Sequence, residues 1–133
     1  MNINKNKITV LLIDDFKLFG DVLHTCFEDS ARIKFLGACM NDDKVCDICI
    51  DLMPDIVLID VSVNNETGLR QAKNIAVKNQ QIKIAGFSIN YNQRLIDELF
   101  SIGAKGLISK NCSLERITDA IVKLSLGEKV VVY

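Results

Sequence analysis

Two unbroken apolar runs that each end in acidic residues constrain this chain most strongly. Residues 56–59 are followed by Asp60, and residues 8–13 are followed by Asp14 and Asp15. Apolar runs without polar alternation are typical of strands that are buried on both faces of a parallel sheet. Because open α/β sheets bind ligands at the carboxyl ends of their strands, we expect these three carboxylates to meet at one sheet edge.

The rest of the chain alternates strand signals with helical signals. The predicted strands are residues 8–13, 33–39, 56–59, 82–87 and 106–108. Between and after them, apolar residues recur at spacings of three and four, which is typical of amphipathic helices, and Ser113 marks the start of the last one. The pattern predicts an α/β fold with a doubly wound, five-stranded parallel sheet. The expected order is 2-1-3-4-5, a flavodoxin-like arrangement in which strands 1 and 3 are neighbours.

Length and composition indicate one globular domain over residues 1–133. We place its core at about residues 7–127 and interpret residues 128–133 as a tail or the start of a linker. The chain is 49% hydrophobic and carries a formal charge of −1, so it has no basic field to attract nucleic acid. Its apolar runs are far shorter than the ~20 residues that span a bilayer, and its polar start does not resemble a signal peptide.

The cysteines and the single histidine do not form a recognisable site. Five cysteines without regular spacing argue against a disulfide framework and for the reducing cytoplasm. Cys46 and Cys49 form a CxxC pair, but it lacks a second ligand pair, so we interpret it as helix packing. We interpret His24 as a partly solvated helix residue.

Two further polar residues follow strands at the same edge. Ser88 follows the predicted fourth strand and Lys110 follows the fifth. Three acids, a hydroxyl and a lysine are a set that suits phosphoryl transfer. Carboxylates bind Mg²⁺, and the oxygen of one acid can act as the nucleophile. Mg²⁺ and the lysine would then neutralise the negative charge on the oxygens of the transferred phosphoryl group. The alternative for Asp14 and Asp15 is that they only cap the next helix.

In this order and spacing, the motifs resemble the receiver domain of response regulators in two-component signalling. The matching segments are residues 12–15, 54–60, 68–69, 87–88 and 103–110. The resemblance implies the following roles: Asp60 as phosphoacceptor, Asp14, Asp15 and the Ser62 backbone carbonyl as further ligands of a Mg²⁺ ion bound by Asp60, Ser88 as the switch hydroxyl, and Lys110 as the invariant lysine.

Several positions depart from the family pattern. Val63 and Asn64 stand where Met-Pro is usual, Leu107 replaces the switch aromatic residue, and the bulky Ile89 follows Ser88. Asn111 replaces the proline that often follows the lysine, which resembles the NarL/FixJ-like branch. Residues 126–129 resemble that branch as well.

The resemblance implies that a sensor histidine kinase donates a phosphoryl group and that the domain itself catalyses transfer and autodephosphorylation. It is thus not expected to be an enzyme in the usual sense. Phosphorylation is expected to switch an output, transcription through a DNA-binding domain that is absent from this chain, with homodimer formation as a further expectation.

Two other classes stay open. A phosphatase of the haloacid-dehalogenase type would need a second acid two residues after its nucleophile, where this chain has Ser62. A pseudo-receiver would be a protein-interaction module that is not phosphorylated. Phosphoryl analogues distinguish it from a phosphorylated receiver.

Overall fold

The computed structural model describes residues 6–63 and 65–133, in which strands and helices alternate. The strands are β1 (Ile8–Ile13), β2 (Ile33–Cys39), β3 (Ile56–Asp60), β4 (Lys83–Ser88), β5 (Gly106–Ser109) and β6 (Val130–Val132). The helices are α1 (Lys17–Phe27), α2 (Val45–Leu52), α3 (Thr67–Lys78), α4 (Gln93–Ser101) and α5 (Leu114–Ser125).

All strand pairs are parallel, and the sheet has the order β2-β1-β3-β4-β5-β6. The predicted α/β fold and the order 2-1-3-4-5 are confirmed. At the start of β1 and β3, the backbone N–H and hydroxyl of Thr9 donate to the Asp55 carboxylate at 2.9 and 3.1 Å. In return the Asp55 N–H donates to the Thr9 hydroxyl at 2.8 Å. This reciprocal contact stabilises the register that brings the ends of β1 and β3 together.

Helices cover both faces of the sheet, so successive strand residues pack into different cores. In β1, Val10 and Leu12 pack with α1 and α5, whereas Leu11 and Ile13 pack with α2, α3 and α4. This alternation follows from the two-residue repeat of a strand. It explains why a strand with two buried faces appears in the sequence as a continuous apolar run.

The prediction of five strands needs one correction. Residues 130–132, which the sequence analysis placed in a tail or linker, form a sixth strand against the outer edge of β5. A glycine makes this possible: a Cβ atom on Gly106 would lie 2.5 Å from the Val130 backbone oxygen and 2.6 Å from Val130 Cγ2. The absence of a side chain at Gly106 therefore lets β6 approach β5 closely.

Other expectations about local structure are confirmed. The hydroxyl of Ser113 caps α5 by accepting a hydrogen bond from the Arg116 N–H at 3.2 Å. Cys46 and Cys49 are buried on the packed face of α2, and His24 is an exposed residue of α1. Within residues 6–63 and 65–133, we find no helix with the length and apolar character that crossing a bilayer requires.

Candidate functional site

The predicted site residues lie at the carboxyl ends of neighbouring parallel strands. Asp60 and Ser88 are the last residues of β3 and β4, so each strand extends one residue further than predicted. Asp14 and Asp15 follow β1, and Lys110 follows β5. Since the strands are parallel, all five residues lie at one edge of the sheet, where ligand sites of doubly wound folds occur.

The ammonium group of Lys110 lies between two carboxylates. Its Nζ is 2.6 Å from Asp60 Oδ1 and 2.7 Å from Asp14 Oδ2. The side chains of Lys110 and Asp14 are 4% and 2% exposed, whereas that of Asp60 is 38% exposed. Asp14 Oδ2 is buried without an aligned hydrogen-bond donor, so its contact with Lys110 is a charge–charge attraction. Asp60 is thus the member of this group that a reagent in solution can reach.

Two aromatic rings also contact the lysine. The Lys110 Nζ is 4.4 Å from the centroid of the Phe19 ring and 5.6 Å from that of Phe87. The two rings meet edge to face, with centroids 5.8 Å apart. Such contacts attract a cation through the electron-rich ring face. Sequence analysis missed this role of Phe19, because its spacing in α1 indicates only a core-facing residue.

The two acids after β1 have different partners. Asp14 Oδ1 accepts a hydrogen bond from the Phe16 N–H at 2.9 Å, and Asp15 Oδ1 accepts one from the Asn41 N–H at 2.7 Å. Neither acid is the N-cap of α1, which is Phe16. In the part of the chain that the structure describes, no three acidic, histidine or cysteine side chains are arranged as a ready metal-binding group.

The surroundings of the Asp60 carboxyl group disfavour its ionised form. Its pKa is raised above the usual value, first by burial, while the hydrogen bond and charge of Lys110 lower it and the charges of Asp14 and Asp15 raise it again. Additional positive charge near Asp60 would therefore stabilise its ionised form. The donor set fits a divalent ion, because carboxylates are the oxygen ligands that Mg²⁺ prefers.

Ser88 connects the site to the loop between β4 and α4. Its side chain is fully buried, and its hydroxyl donates a hydrogen bond to the backbone oxygen of Asn90. The side-chain oxygen of Asn90 accepts a hydrogen bond from the Val63 N–H at 3.3 Å. The loops after β3 and β4 are therefore linked through Asn90.

The loop after Asp60 is partly described. The Ser62 carbonyl accepts a hydrogen bond from the Asn65 N–H at 3.4 Å, and its expected role as a metal ligand stays a prediction. Asn64, one of the two departures from the family pattern in this loop, lies outside the described residues. Gly68 is required by packing, because a Cβ atom there would collide with the Asp60 backbone oxygen.

The structure also describes the three other positions that depart from the family pattern, which are Leu107, Ile89 and Asn111. Leu107 is fully buried in the core, and Ile89 is 55% exposed beside Ser88. The peptide bonds that the structure describes are all trans, including that between Lys110 and Asn111.

The cysteines of α2 belong to the hydrophobic core that α2 forms with the sheet, α3 and α4. Burial is the main cause that raises the pKa of the Cys49 thiol to about 12, and the neighbouring Cys39 and Cys46 add to it. Such a thiol is almost wholly protonated near neutral pH and therefore unreactive, which agrees with a packing role.

A comparison with models of protein families finds a match to this chain. The model of the response regulator receiver domain matches residues 10–122. The chain belongs to the response regulator receiver domain family. Similar proteins include the response regulator UvrY of Escherichia coli K12, 27% identical over 124 residues that cover 93% of this chain and 57% of UvrY. The transcriptional regulatory protein LiaR of Bacillus subtilis is 26% identical over 121 residues, 91% of this chain and 57% of LiaR.

Solved structures show the same fold. The signal receiver domain of the putative response regulator NarL from Mycobacterium tuberculosis superposes with a TM-score of 0.82 at 18% identity, covering 92% of this chain and 99% of that domain. The match to the family model confirms the resemblance to the receiver family, and the similar proteins agree with its NarL/FixJ-like branch. This chain spans a little over half the length of the two curated relatives.

Proposed function

We propose that this receiver domain accepts a phosphoryl group on Asp60 from a sensor histidine kinase. The observation that carries the proposal is the Asp60 carboxylate, which is 38% exposed and lies 2.6 Å from the ammonium of Lys110 at a strand end. One oxygen of Asp60 attacks the phosphorus, the bond between phosphorus and the imidazole nitrogen of the donor breaks, and that nitrogen keeps the electron pair. The product is an aspartyl phosphate, which water later hydrolyses.

The neighbouring residues have separate roles in this proposal. Lys110 moves from its contact with the Asp60 carboxylate to the negative oxygens of the transferred group. Asp14, Asp15, Asp60 and the Ser62 carbonyl would hold Mg²⁺, which when bound supplies positive charge to the phosphoryl oxygens. The raised pKa of Asp60 is consistent with this assignment: burial is its main cause and the charges of Asp14 and Asp15 add to it, and a bound cation would offset both by stabilising the ionised carboxylate.

Ser88 completes the proposed site as a hydrogen-bond donor to the phosphoryl group. It is buried at the end of β4, one residue after Phe87, which pairs in register with Asp60. To donate to the phosphoryl group it must leave the Asn90 carbonyl. The loop after β4 is then the first part of the molecule to respond.

We further propose that the domain acts in the cytoplasm and controls transcription. The name of LiaR, a transcriptional regulatory protein, supports that output. DNA contact is assigned to a further domain outside this sequence, since this chain has a formal charge of −1 and no basic stripe. Homodimer formation on phosphorylation is part of the same proposal.

Beryllofluoride, an analogue of the phosphoryl group, tests this function directly. With Mg²⁺ it should shift the amide NMR signals of the residues after Asp60 and Ser88 in the native protein. Asp60→Asn should show none of these shifts, because it removes the acceptor oxygen. The same spectrum with and without the reagent in the native protein would contradict the proposal.

A pseudo-receiver is the second candidate. It is favoured by the resting arrangement of the acids: Lys110 occupies the space between Asp14 and Asp60, and Asp15 is bound to the Asn41 N–H. In that case the ion pairs would be purely structural, and the domain would bind its partner without phosphorylation. A failure to respond to beryllofluoride would support this candidate.

A further inference from the structure

Two tyrosines join the loop after Ser88 to the C-terminal segment. Tyr91 lies in the loop between β4 and α4, and Tyr133 directly follows β6. Their rings are stacked, with centroids 4.7 Å apart and an angle of 24° between the planes. Stacked aromatic pairs of this kind stabilise a contact beyond the area that they bury. The two rings therefore connect a loop of the proposed phosphorylation site with the edge of the sheet.

The C-terminal segment, residues 130–133, has several other contacts with the domain. It pairs with β5 in parallel register, and the Val130 side chain is buried against the core. The Cys112 thiol donates to the Val132 backbone oxygen at 3.4 Å, and Arg116 Nη1 donates to the Tyr133 backbone oxygen at 2.6 Å. The segment is therefore held by specific groups of β5, α5 and the loop between them.

The loop that carries Tyr91 is held in turn by Ser88. The Ser88 hydroxyl donates to the Asn90 backbone oxygen, one residue before Tyr91. A hydroxyl has one proton to donate, so Ser88 cannot bind Asn90 and a phosphoryl group on Asp60 through that proton at the same time. Binding of the phosphoryl group removes one of the contacts that keep Tyr91 in its stacking position.

We propose that Tyr91 and the outer edge of β5 form a docking surface for the C-terminal segment, and that phosphorylation of Asp60 releases this segment through Ser88. The inference rests on the proposed function. The occupant is the chain's own residues 130–133, because their side chains are seated there: the Tyr133 ring stacks on Tyr91, and Val130 is buried against the core. Release exposes the backbone groups of β5, which an incoming strand can pair with.

Intrinsic fluorescence reports on this contact without a label. The chain contains two tyrosines and no tryptophan, so its emission comes from the stacked pair. Beryllofluoride with Mg²⁺ should raise the tyrosine emission and speed hydrogen exchange at the β6 amides. Bound beryllofluoride is measured separately by ¹⁹F NMR, with Asp60→Asn as the variant that lacks the acceptor.

Two substitutions at Tyr133 form a matched pair. Tyr133→Phe keeps a stacked ring and leaves Tyr91 as the only fluorophore, so its emission should still rise with beryllofluoride. Tyr133→Ala removes the ring, so the emission of Tyr91 should already be high and should change little. Since coupling between two sites is reciprocal, Tyr133→Ala should bind beryllofluoride roughly two- to tenfold more tightly than Tyr133→Phe, the range expected for one aromatic pair.

A third variant acts at the contact of the segment with β5 and not at its contact with Tyr91. Gly106→Ala places a methyl group against Val130 and should raise the emission without any reagent. If it fails to fold, the pair at Tyr133 tests the same contact at the surface.

The possible results separate the two proposals. Beryllofluoride that binds and raises both emission and β6 exchange supports the docking surface. Beryllofluoride that binds while emission and β6 exchange stay unchanged overturns it and leaves the proposed function intact. The absence of binding to the native protein overturns both.

Discussion

Replacing Lys110 with methionine tests the electrostatics of the site most severely. Methionine keeps most of the apolar stem of the side chain but removes the ammonium between Asp14 and Asp60. Asp14 is then a buried carboxylate whose Oδ2 has no hydrogen-bond donor, with the charge of Asp60 nearby. Asp60 can turn to solvent, because it is 38% exposed, whereas the Asp14 side chain is 2% exposed.

The size of the effect follows from these distances. At 2.7 Å and an effective dielectric constant of about 20, one ion pair is worth about 6 kcal/mol before desolvation is counted. Protonation of Asp14 or entry of water limits the net loss, and removal of one partner from a buried pair usually costs about 3–5 kcal/mol. We therefore expect Lys110→Met to lower the free energy of unfolding by about 3–5 kcal/mol.

Urea unfolding followed by circular dichroism measures this loss. Adding Asp14→Asn to Lys110→Met should recover about 2 kcal/mol, because it removes the unpaired charge. Lys17→Met is a matched control: Lys17 pairs with Asp21 at 3.2 Å but is 88% exposed, so we expect a change below about 1 kcal/mol. A Lys110→Met protein as stable as this control would refute the reasoning.

Three other perturbations test separate parts of the account. Asp60→Asn should raise the free energy of unfolding, measured in urea, by up to about 1 kcal/mol. It removes a carboxylate whose pKa is raised mainly by burial, and the partial exposure of that carboxylate limits the gain. A large loss of stability would contradict this expectation. Gly68→Ala should cost about 1–3 kcal/mol in the same assay and slow phosphorylation by acetyl phosphate, because its Cβ would displace the Asp60 backbone; unchanged values for both would contradict that collision. Burial raises the pKa of Cys39 to about 11 and that of Cys49 to about 12 from 9.0, so the folded state keeps thiol protons that the unfolded state loses. The free energy of unfolding should thus fall as the pH rises above 9.0, and Cys49→Ala should reduce this slope; equal slopes in the two proteins would argue against the assignment.

The framework of the site could be predicted because it depends on backbone periodicity. Apolar runs with two buried faces identify parallel strands, and the residues that end them must meet at one edge. Asp60, Ser88 and Lys110 lie at one edge because each of them ends or follows one of these parallel strands.

What could not be predicted depends on contacts between distant side chains. The sixth strand is a run of three valines with charged residues before it, and it pairs with β5 because Gly106 leaves room. The position of Lys110 between two carboxylates and beside Phe19 depends on rotamers that no spacing rule specifies. The contact of Ser88 with Asn90 is local, yet a hydroxyl at a strand end has several backbone acceptors within reach.

Phosphoryl transfer to one named side chain is the most direct test of the central claim. The native protein is incubated with acetyl phosphate and Mg²⁺, and its intact mass is compared with that of Asp60→Asn treated in the same way. The native protein should gain one phosphoryl group, which peptide analysis after borohydride reduction assigns to residue 60, and the variant should gain none. A native protein that gains no mass, or a variant that gains as much as the native protein, would contradict the account.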